Sequence, residues 1–319
     1  MAILVATVAT GGNTDMRLPA AAETRPAPRR KSAGDMGVYV GLDIGGTKFM
    51  AAAAREDGVI TARARAATPS ELREGLDLLH RMIAEVATEG KVVGLGAAIG
   101  GPLDWKTGVV SPLHQPEWRE VPLKAVMQEK WGCPFHVDVD TNIAALGEHI
   151  FGGETGDPML YLTLSTGMGG GFIVNGRIYR GGDSAHPEVG HQSILWRCSN
   201  AKAIACECGL PDCLEALISG NGIRRVYHKP AEDLDDGEWE EVAWNLGQGL
   251  RNLAAMWAPA VIVMGGGVAL GRGEWLVSEA ARVMREHLKI VPAPRVRLSS
   301  LGHDTALMGA LAAAIHGIG

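Results

Sequence analysis

The chain has no run of about 20 apolar residues, the length a helix needs to cross a bilayer. No membrane partner is therefore expected. It also lacks a basic surplus. Its 30 Lys and Arg stand against 36 Asp and Glu, a net charge of −6, and such a balance argues against nucleic acid as a partner. Cysteine is sparse and odd in number, five in 319 residues. A secreted disulfide framework would be denser, so a reducing, cytoplasmic compartment is expected. The opening segment 1–12 has neither a basic start nor a good cleavage site, which speaks against a signal peptide. A GxxxxGK phosphate loop followed by Ser or Thr is absent as well.

What is present is a globular composition, 46% hydrophobic and 21% charged, with 43 glycines. That glycine content, well above the usual share of about 7%, implies many tight turns or backbone that approaches a ligand closely. Residues 1–36 carry Ala-rich and Pro-containing stretches and a short basic cluster, Arg29-Arg30-Lys31, with no helical or strand period. They read as a flexible tail. Order begins near Gly37. Val38–Asp43 is a β-rich apolar run ending in Gly45-Gly46, and a second apolar run follows from Lys48 to Ala54. Asp57-Gly58 signals a hairpin before Val59–Ala64. Thr68-Pro69-Ser70-Glu71 then announces a helix with a Thr cap and Pro at its first position. Leu72, Leu76, Leu79, Met82, Ile83 and Val86 repeat at helical spacing.

The same order returns about 120 residues later. Met159–Ser165 reads as a strand, Gly167–Gly171 as a glycine turn, Phe172–Val174 as a strand, Asn175-Gly176 as a hairpin turn and Arg177–Tyr179 as a third strand. Two related α/β units follow from this repetition. The expected division is a tail at 1–36, a smaller α/β unit at 37–148 plus 303–319, and a larger one at 149–302. Within the second unit a long helical pattern runs from Trp239 to Trp257, then a strand at Val261–Met264 and the turn Gly265-Gly266-Gly267.

Small residues at such turns let backbone N–H groups face outward, and such groups bind phosphate oxygens. Gly45 and Gly46 are followed by the hydroxyl of Thr47 and the charge of Lys48; Thr166 and Gly167 open the equivalent turn of the second unit. Two turns at matching points of a repeated unit would grip one polyphosphate across a cleft. Cys206, Cys208 and Cys213 supply three soft ligands within eight residues, and His191 completes a tetrahedral set typical of structural zinc. Cys198 is expected to stand aside. Phe135–Val139 reads as a strand and Thr141–Ile150 as a helix. Asp140 at their junction is either a helix cap or a functional carboxylate, and Asp138 is a second candidate that spacing does not separate from it.

Asp43–Lys48, Ser165–Gly171 and Val263–Gly267 resemble the two phosphate segments and the adenosine segment of sugar kinases with an actin-like fold. The stretch EVGH…CECGLPDCLE is similar to the ROK family (repressor, open reading frame, kinase), and the likeness covers about Val38 to Ile315. The resemblance implies a two-domain actin-like α/β fold, built on a ribonuclease H-like repeat, with an interdomain cleft. It also implies ATP with Mg²⁺, a hexose acceptor and a homodimer. VDTNIAALGE resembles the family's base segment, which makes Asp140 the implied catalytic base. Glu188, His191 and Glu215 match the family's sugar-contacting residues, with His191 also a zinc ligand. Gly45, Gly46, Thr47, Lys48, Thr166, Gly167, Gly265, Gly266 and Gly267 match its ATP-binding turns.

Two departures bear on the acceptor. Val139 stands where the family has Asn, and a second sugar-binding Asn has no clear counterpart, with His114 or Gln115 as stand-ins. The expected function is an ATP-dependent hexokinase, glucose being the leading acceptor. The alternatives are a kinase of fructose, N-acetylglucosamine or N-acetylmannosamine, or a non-catalytic sugar-binding regulator of the same family. A repressor of that family would carry a DNA-binding helix-turn-helix, and residues 1–36 show no helical pattern for one.

Overall fold

The computed structural model of the chain describes residues 37–153, 156–182 and 185–319. The expected tail at 1–36 lies outside the described residues. Chain order begins with β1 (Val38–Ile44), β2 (Lys48–Ala54), β3 (Ile60–Ala67), α1 (Leu72–Val86) and β4 (Val92–Ile99). Three two-residue strands follow, β5 (Leu103–Asp104), β6 (Val109–Val110) and β7 (Val121–Pro122), then α2 (Leu123–Trp131), β8 (Phe135–Val139) and α3 (Asp140–Phe151). The second half contains β9 (Met159–Leu164), β10 (Met168–Val174), β11 (Arg177–Ile178), α4 (Glu215–Ile218), α5 (Gly220–Tyr227) and α6 (Asp236–Trp257). It closes with β12 (Val261–Gly265), α7 (Gly267–Arg272), α8 (Glu274–His287), β13 (Arg295–Leu298) and α9 (Thr305–His316).

The two main sheets share one topology. The first has the order β3-β2-β1-β4-β8 and the second β11-β10-β9-β12-β13. In each, the first three strands form an antiparallel meander, and the last two run parallel to the first strand. The repetition expected from the sequence is thus a duplicated sheet. Central strands such as β1 and β12 are buried almost throughout, as strands covered by helices on both faces must be.

Local chemistry accounts for most element ends. Asn175 and Gly176 both take positive φ, 53° and 72°, the conformation of the tight hairpin that Asn-Gly favours. Helix α6 opens with a reciprocal cap, in which the Asp235 carboxylate accepts from the Glu238 N–H and Glu238 accepts from the Asp235 N–H. One expectation is corrected. Thr68 does not cap α1, whose N-cap is Glu71 with no side-chain bond. The Thr68 hydroxyl instead donates to the Gly45 carbonyl at 2.7 Å, so it braces the first glycine turn. The expected unit boundary at 148/149 falls inside α3.

Helices α3 and α9 form the layer between the sheets. Helix α9 packs on β1 and β4, and α3 packs on β9 and β10. Both are apolar around most of their circumference, as helices with neighbours on every side must be. They cross where two glycines meet. A Cβ on Gly147 would lie 2.7 Å from the Gly309 backbone nitrogen, and one on Gly309 would run into the Ile143 carbonyl. Buried charge anchors the far end of α3. The fully buried Glu148 carboxylate accepts from Arg297 Nη2 at 3.1 Å, from the Ser299 hydroxyl and from the Leu301 N–H. Since α3 begins at Asp140, this crossing fixes where Asp140 sits. Gly309→Ala should therefore cost about 1–3 kcal/mol of stability, the usual cost of overpacking a dense contact, read from the urea unfolding midpoint. An unchanged midpoint would contradict the close crossing.

Candidate active site

Ligands of parallel α/β sheets bind beyond the carboxyl ends of the strands, and the two sheets present those ends to one another. There a cavity of 280 Å³ is walled by Lys48 and Asp140 from the first half, and by Tyr161, Ser165, Gly266 and Gly267 from the second. A larger cavity of 510 Å³ adjoins it, lined by Thr166, Gly220, Arg224, Trp239 and Arg272 among others. Ser165 and Gly267 belong to both walls, so the two spaces are neighbours across these residues.

The two candidate carboxylates at the β8–α3 junction have different fates. Asp138 is buried and its hydrogen-bonding capacity is taken. One oxygen accepts from the Val139 N–H at 2.7 Å and from Asn142 Nδ2 at 3.1 Å, and the other is ion-paired with Arg180. Among the hydrogen bonds of the described residues, Asp140 accepts only from the adjacent Thr141 N–H at 2.7 Å, and it lines the cavity. The residue is solvent-exposed, as a group on the floor of an open cleft is, although protein atoms lie densely around it. Burial raises its pKa above the ordinary carboxylate value. The Thr141 N–H and the imidazoles of His186 and His114 act the other way, and Glu188 adds to the rise.

A residue outside the expected site faces Asp140. Asp43, at the end of β1, is pushed up to about 6, first by burial and then by the charge of Asp140, while Lys48 pulls it down. It opens the first glycine turn, so the motif itself held the signal. Tyr161 is a second addition. Burial holds its phenol far above the ordinary value and keeps it neutral. Of the two stand-ins for the absent Asn, His114 acts on Asp140 and lies against the first turn, where a Cβ on Gly46 would be 3.0 Å from it. Gln115 is buried instead, and its amide nitrogen finds no partner. Val139 is buried as well.

The remaining expected residues divide by what they touch. Gly46 and Thr47 are exposed at the first turn, which the Gly45 N–H closes onto the Lys48 carbonyl at 3.1 Å. Gly265 packs against the Tyr161 ring, Gly266 has φ of 88° against the Leu164 backbone, and Gly267 is open to the cavities. The second turn is held from the side: Glu215 Oε2 accepts from the Met168 N–H at 2.9 Å and lies beside Gly167. Glu188 is exposed and pairs with His186 at 3.3 Å.

His191, Cys206, Cys208 and Cys213 converge, with one ligand atom from each lying within 4.8 Å of the others. Cys208 Sγ and Cys213 Sγ are 3.6 Å apart, and Cys206 Sγ is 3.5 Å from His191 Nδ1. A tetrahedral ion with bonds of about 2.3 Å to sulfur has edges of about 3.8 Å, so the spacing fits a metal. Cys198 is not part of the group. The cluster ties the Val189–His191 turn to the start of α4, aided by the Leu214 N–H donating to the Gln192 carbonyl at 3.0 Å.

Residues 39–316 match the ROK family. The chain belongs to that family. Among curated relatives, a glucokinase of Halalkalibacterium halodurans is 29% identical over 317 residues, covering 85% of this chain and 93% of the relative. A fructokinase of Zymomonas mobilis is 30% identical over 298 residues, covering 88% and 97%. Among solved structures, a ROK hexokinase from Thermus thermophilus superposes with a TM-score of 0.76 at 32% identity, covering 87% of this chain and 97% of that one. A ROK glucokinase from Streptomyces griseus, solved with glucose and AMPPNP, gives 0.72 at 28% identity, covering 87% and 99%. The duplicated sheets are thus the actin-like fold of ROK sugar kinases.

The raised Asp43 has a consequence for stability. Its folded value of about 6 lies above the ordinary value of about 3.9. Its contribution is therefore full below about pH 4 and lost as pH rises through 6. Asp43→Asn should raise the melting temperature at pH 7.5 and do so less at pH 4.5, as followed by circular dichroism. A larger gain at the acidic pH would reverse the sign and refute the assignment.

Proposed function

We propose that this ROK protein is an ATP- and Mg²⁺-dependent hexose kinase, with glucose as its leading acceptor. The single observation that carries the reading is the cavity in which Lys48 and Asp140 meet Ser165, Gly266 and Gly267. The relatives named above, glucokinase and fructokinase, support it. The larger cavity takes the nucleoside. The turns at Gly45–Lys48, Thr166–Gly167 and Gly265–Gly267 hold its phosphates through backbone N–H groups. Glu188, His191 and Glu215 bind the sugar, since each carboxylate can accept from neighbouring hydroxyls. Asp140 takes the proton of the primary hydroxyl. That oxygen then forms a bond to the γ-phosphorus as the bond from phosphorus to the β–γ bridging oxygen breaks, and ADP leaves.

The cleft also fits a divalent cation. Asp43 and Asp140 repel each other there, offset at Asp43 by Lys48 and at Asp140 by the imidazoles of His186 and His114, and a divalent cation would relieve that repulsion further. Mg²⁺ held with the nucleotide near Asp43 would neutralise phosphate charge. His191, Cys206, Cys208 and Cys213 are read as a closed structural zinc site, because four protein donors leave no open position. The units 37–148 plus 303–319 and 149–302 are proposed to close on sugar and exclude water. A cytoplasmic homodimer completes the reading; among the described residues no helix is long and apolar enough to cross a membrane.

Val139 favours a second reading within the same chemistry, a different hexose or an N-acetylhexosamine. An aliphatic side chain there offers no hydrogen bond to a sugar hydroxyl. A coupled ADP assay over glucose, fructose, mannose and the N-acetylhexosamines separates the readings, and turnover on none of them would end both. Asp140→Asn should lower kcat by about 10²–10⁴-fold, the usual worth of a general base, with the sugar still bound by calorimetry. Wild-type turnover in that variant would remove Asp140 from the role. Elemental analysis should find one zinc per chain, lost with a fall in melting temperature in Cys206→Ser; a metal-free wild type of equal stability would refute the zinc site.

A further inference from the structure

We propose that Arg180 is a positioning residue for Asp140, acting through Asp138. The inference rests on Asp140 being the base but concerns how the chain holds it. Arg180 lies just after β11, a strand of the second sheet. It reaches across to the end of β8 on the first, where its Nη1 donates to the buried Asp138 carboxylate. Its Nη2 donates to the Ile318 carbonyl at 3.0 Å, just beyond α9. Its guanidinium lies 3.8 Å from the centre of the Trp105 ring, on the segment between β5 and β6. Four separate parts of the chain therefore meet at one cation whose side chain is 15% exposed.

Asp138 passes this constraint to its neighbours. Its second oxygen holds the Val139 N–H and the Asn142 side-chain amide, and these two residues bracket Asp140 in sequence. The backbone that carries Asp140 is thereby held by a carboxylate that only Arg180 neutralises among the ion pairs of the described residues. Asp138 is 2% exposed, and a buried carboxylate without its cation must draw in water, take up a proton or move. Each of these disturbs residues 139–142. Arg180 also precedes His186 and Glu188 in the chain, two residues whose charges act on Asp140. Misplacing a reacting group by about 1 Å can cost about 10²-fold in rate.

The test uses the full chain with three variants, Arg180→Gln, Arg180→Lys and the double variant Asp138→Asn/Arg180→Gln. Arg180→Gln should lower kcat by about 10–10²-fold while the KM for ATP stays within about twofold. Arg180→Lys should recover part of the loss. The double variant, which removes the stranded charge, should exceed Arg180→Gln in kcat. Hydrogen exchange, measured without substrate, should show faster exchange of the amides at 139–142 in Arg180→Gln than in the wild type. A folded Arg180→Gln with wild-type kcat and unchanged exchange at 139–142 overturns the proposal. So does a loss of rate that merely follows the loss of folded protein in thermal melts. Should the wild type phosphorylate no hexose, the kinase reading fails, and the exchange measurement still decides the role of Arg180.

Discussion

Two buried ion pairs fix helix α3, and the candidate site depends on that helix. At its N-terminal end Asp138 is paired with Arg180, and within its last turn Glu148 is paired with Arg297. Both carboxylates belong to the β8–α3 segment, and both arginines come from the second half, Arg180 just after β11 and Arg297 in β13. Breaking one side of such a pair costs about 3–5 kcal/mol, because it strands a charge in a low dielectric. The pairs therefore act less as glue than as register pins. The Gly147–Gly309 crossing sets how near α3 comes to α9, and the arginines set where along the second sheet it lies.

The electrostatics of the cleft follow from this placement. With Asp138 neutralised by Arg180, the remaining carboxylates of the floor, Asp43 and Asp140, repel each other, with Lys48 offsetting the charge at Asp43. Both are raised chiefly by burial. Nearby His114 and His186 lower Asp140, and Glu188 raises it. A site of this kind rewards a ligand that brings its own cation, and it favours proton uptake by its carboxylates more than open water does.

Much of the architecture was legible because its causes are local. The limits of β8, the Asn175-Gly176 turn and the repeated strand order follow from side-chain alternation and turn chemistry within a few residues. The convergence of His191, Cys206, Cys208 and Cys213 was legible for the same reason, since three of its four members lie within eight residues. What sequence alone left open depends on contacts across long separations. Thr68 looks like a helix cap until its hydroxyl is seen on Gly45, 23 residues away. Asp138 and Asp140 look alike until Arg180, 42 residues beyond Asp138, engages one of them. Asp43 was within the first motif, but its significance lies in facing Asp140.

The likeness of the two halves makes one of their differences informative. Between β3 and α1 the first half needs only a short connection, whereas the corresponding stretch after β11 is a long irregular excursion cross-braced by its own imidazole and thiols. A duplicated scaffold is by nature even-handed. Together with the small β5–β6–β7 sheet of the first half, this elaboration breaks the pseudo-symmetry, and it sets His186 and Glu188 within electrostatic reach of Asp140.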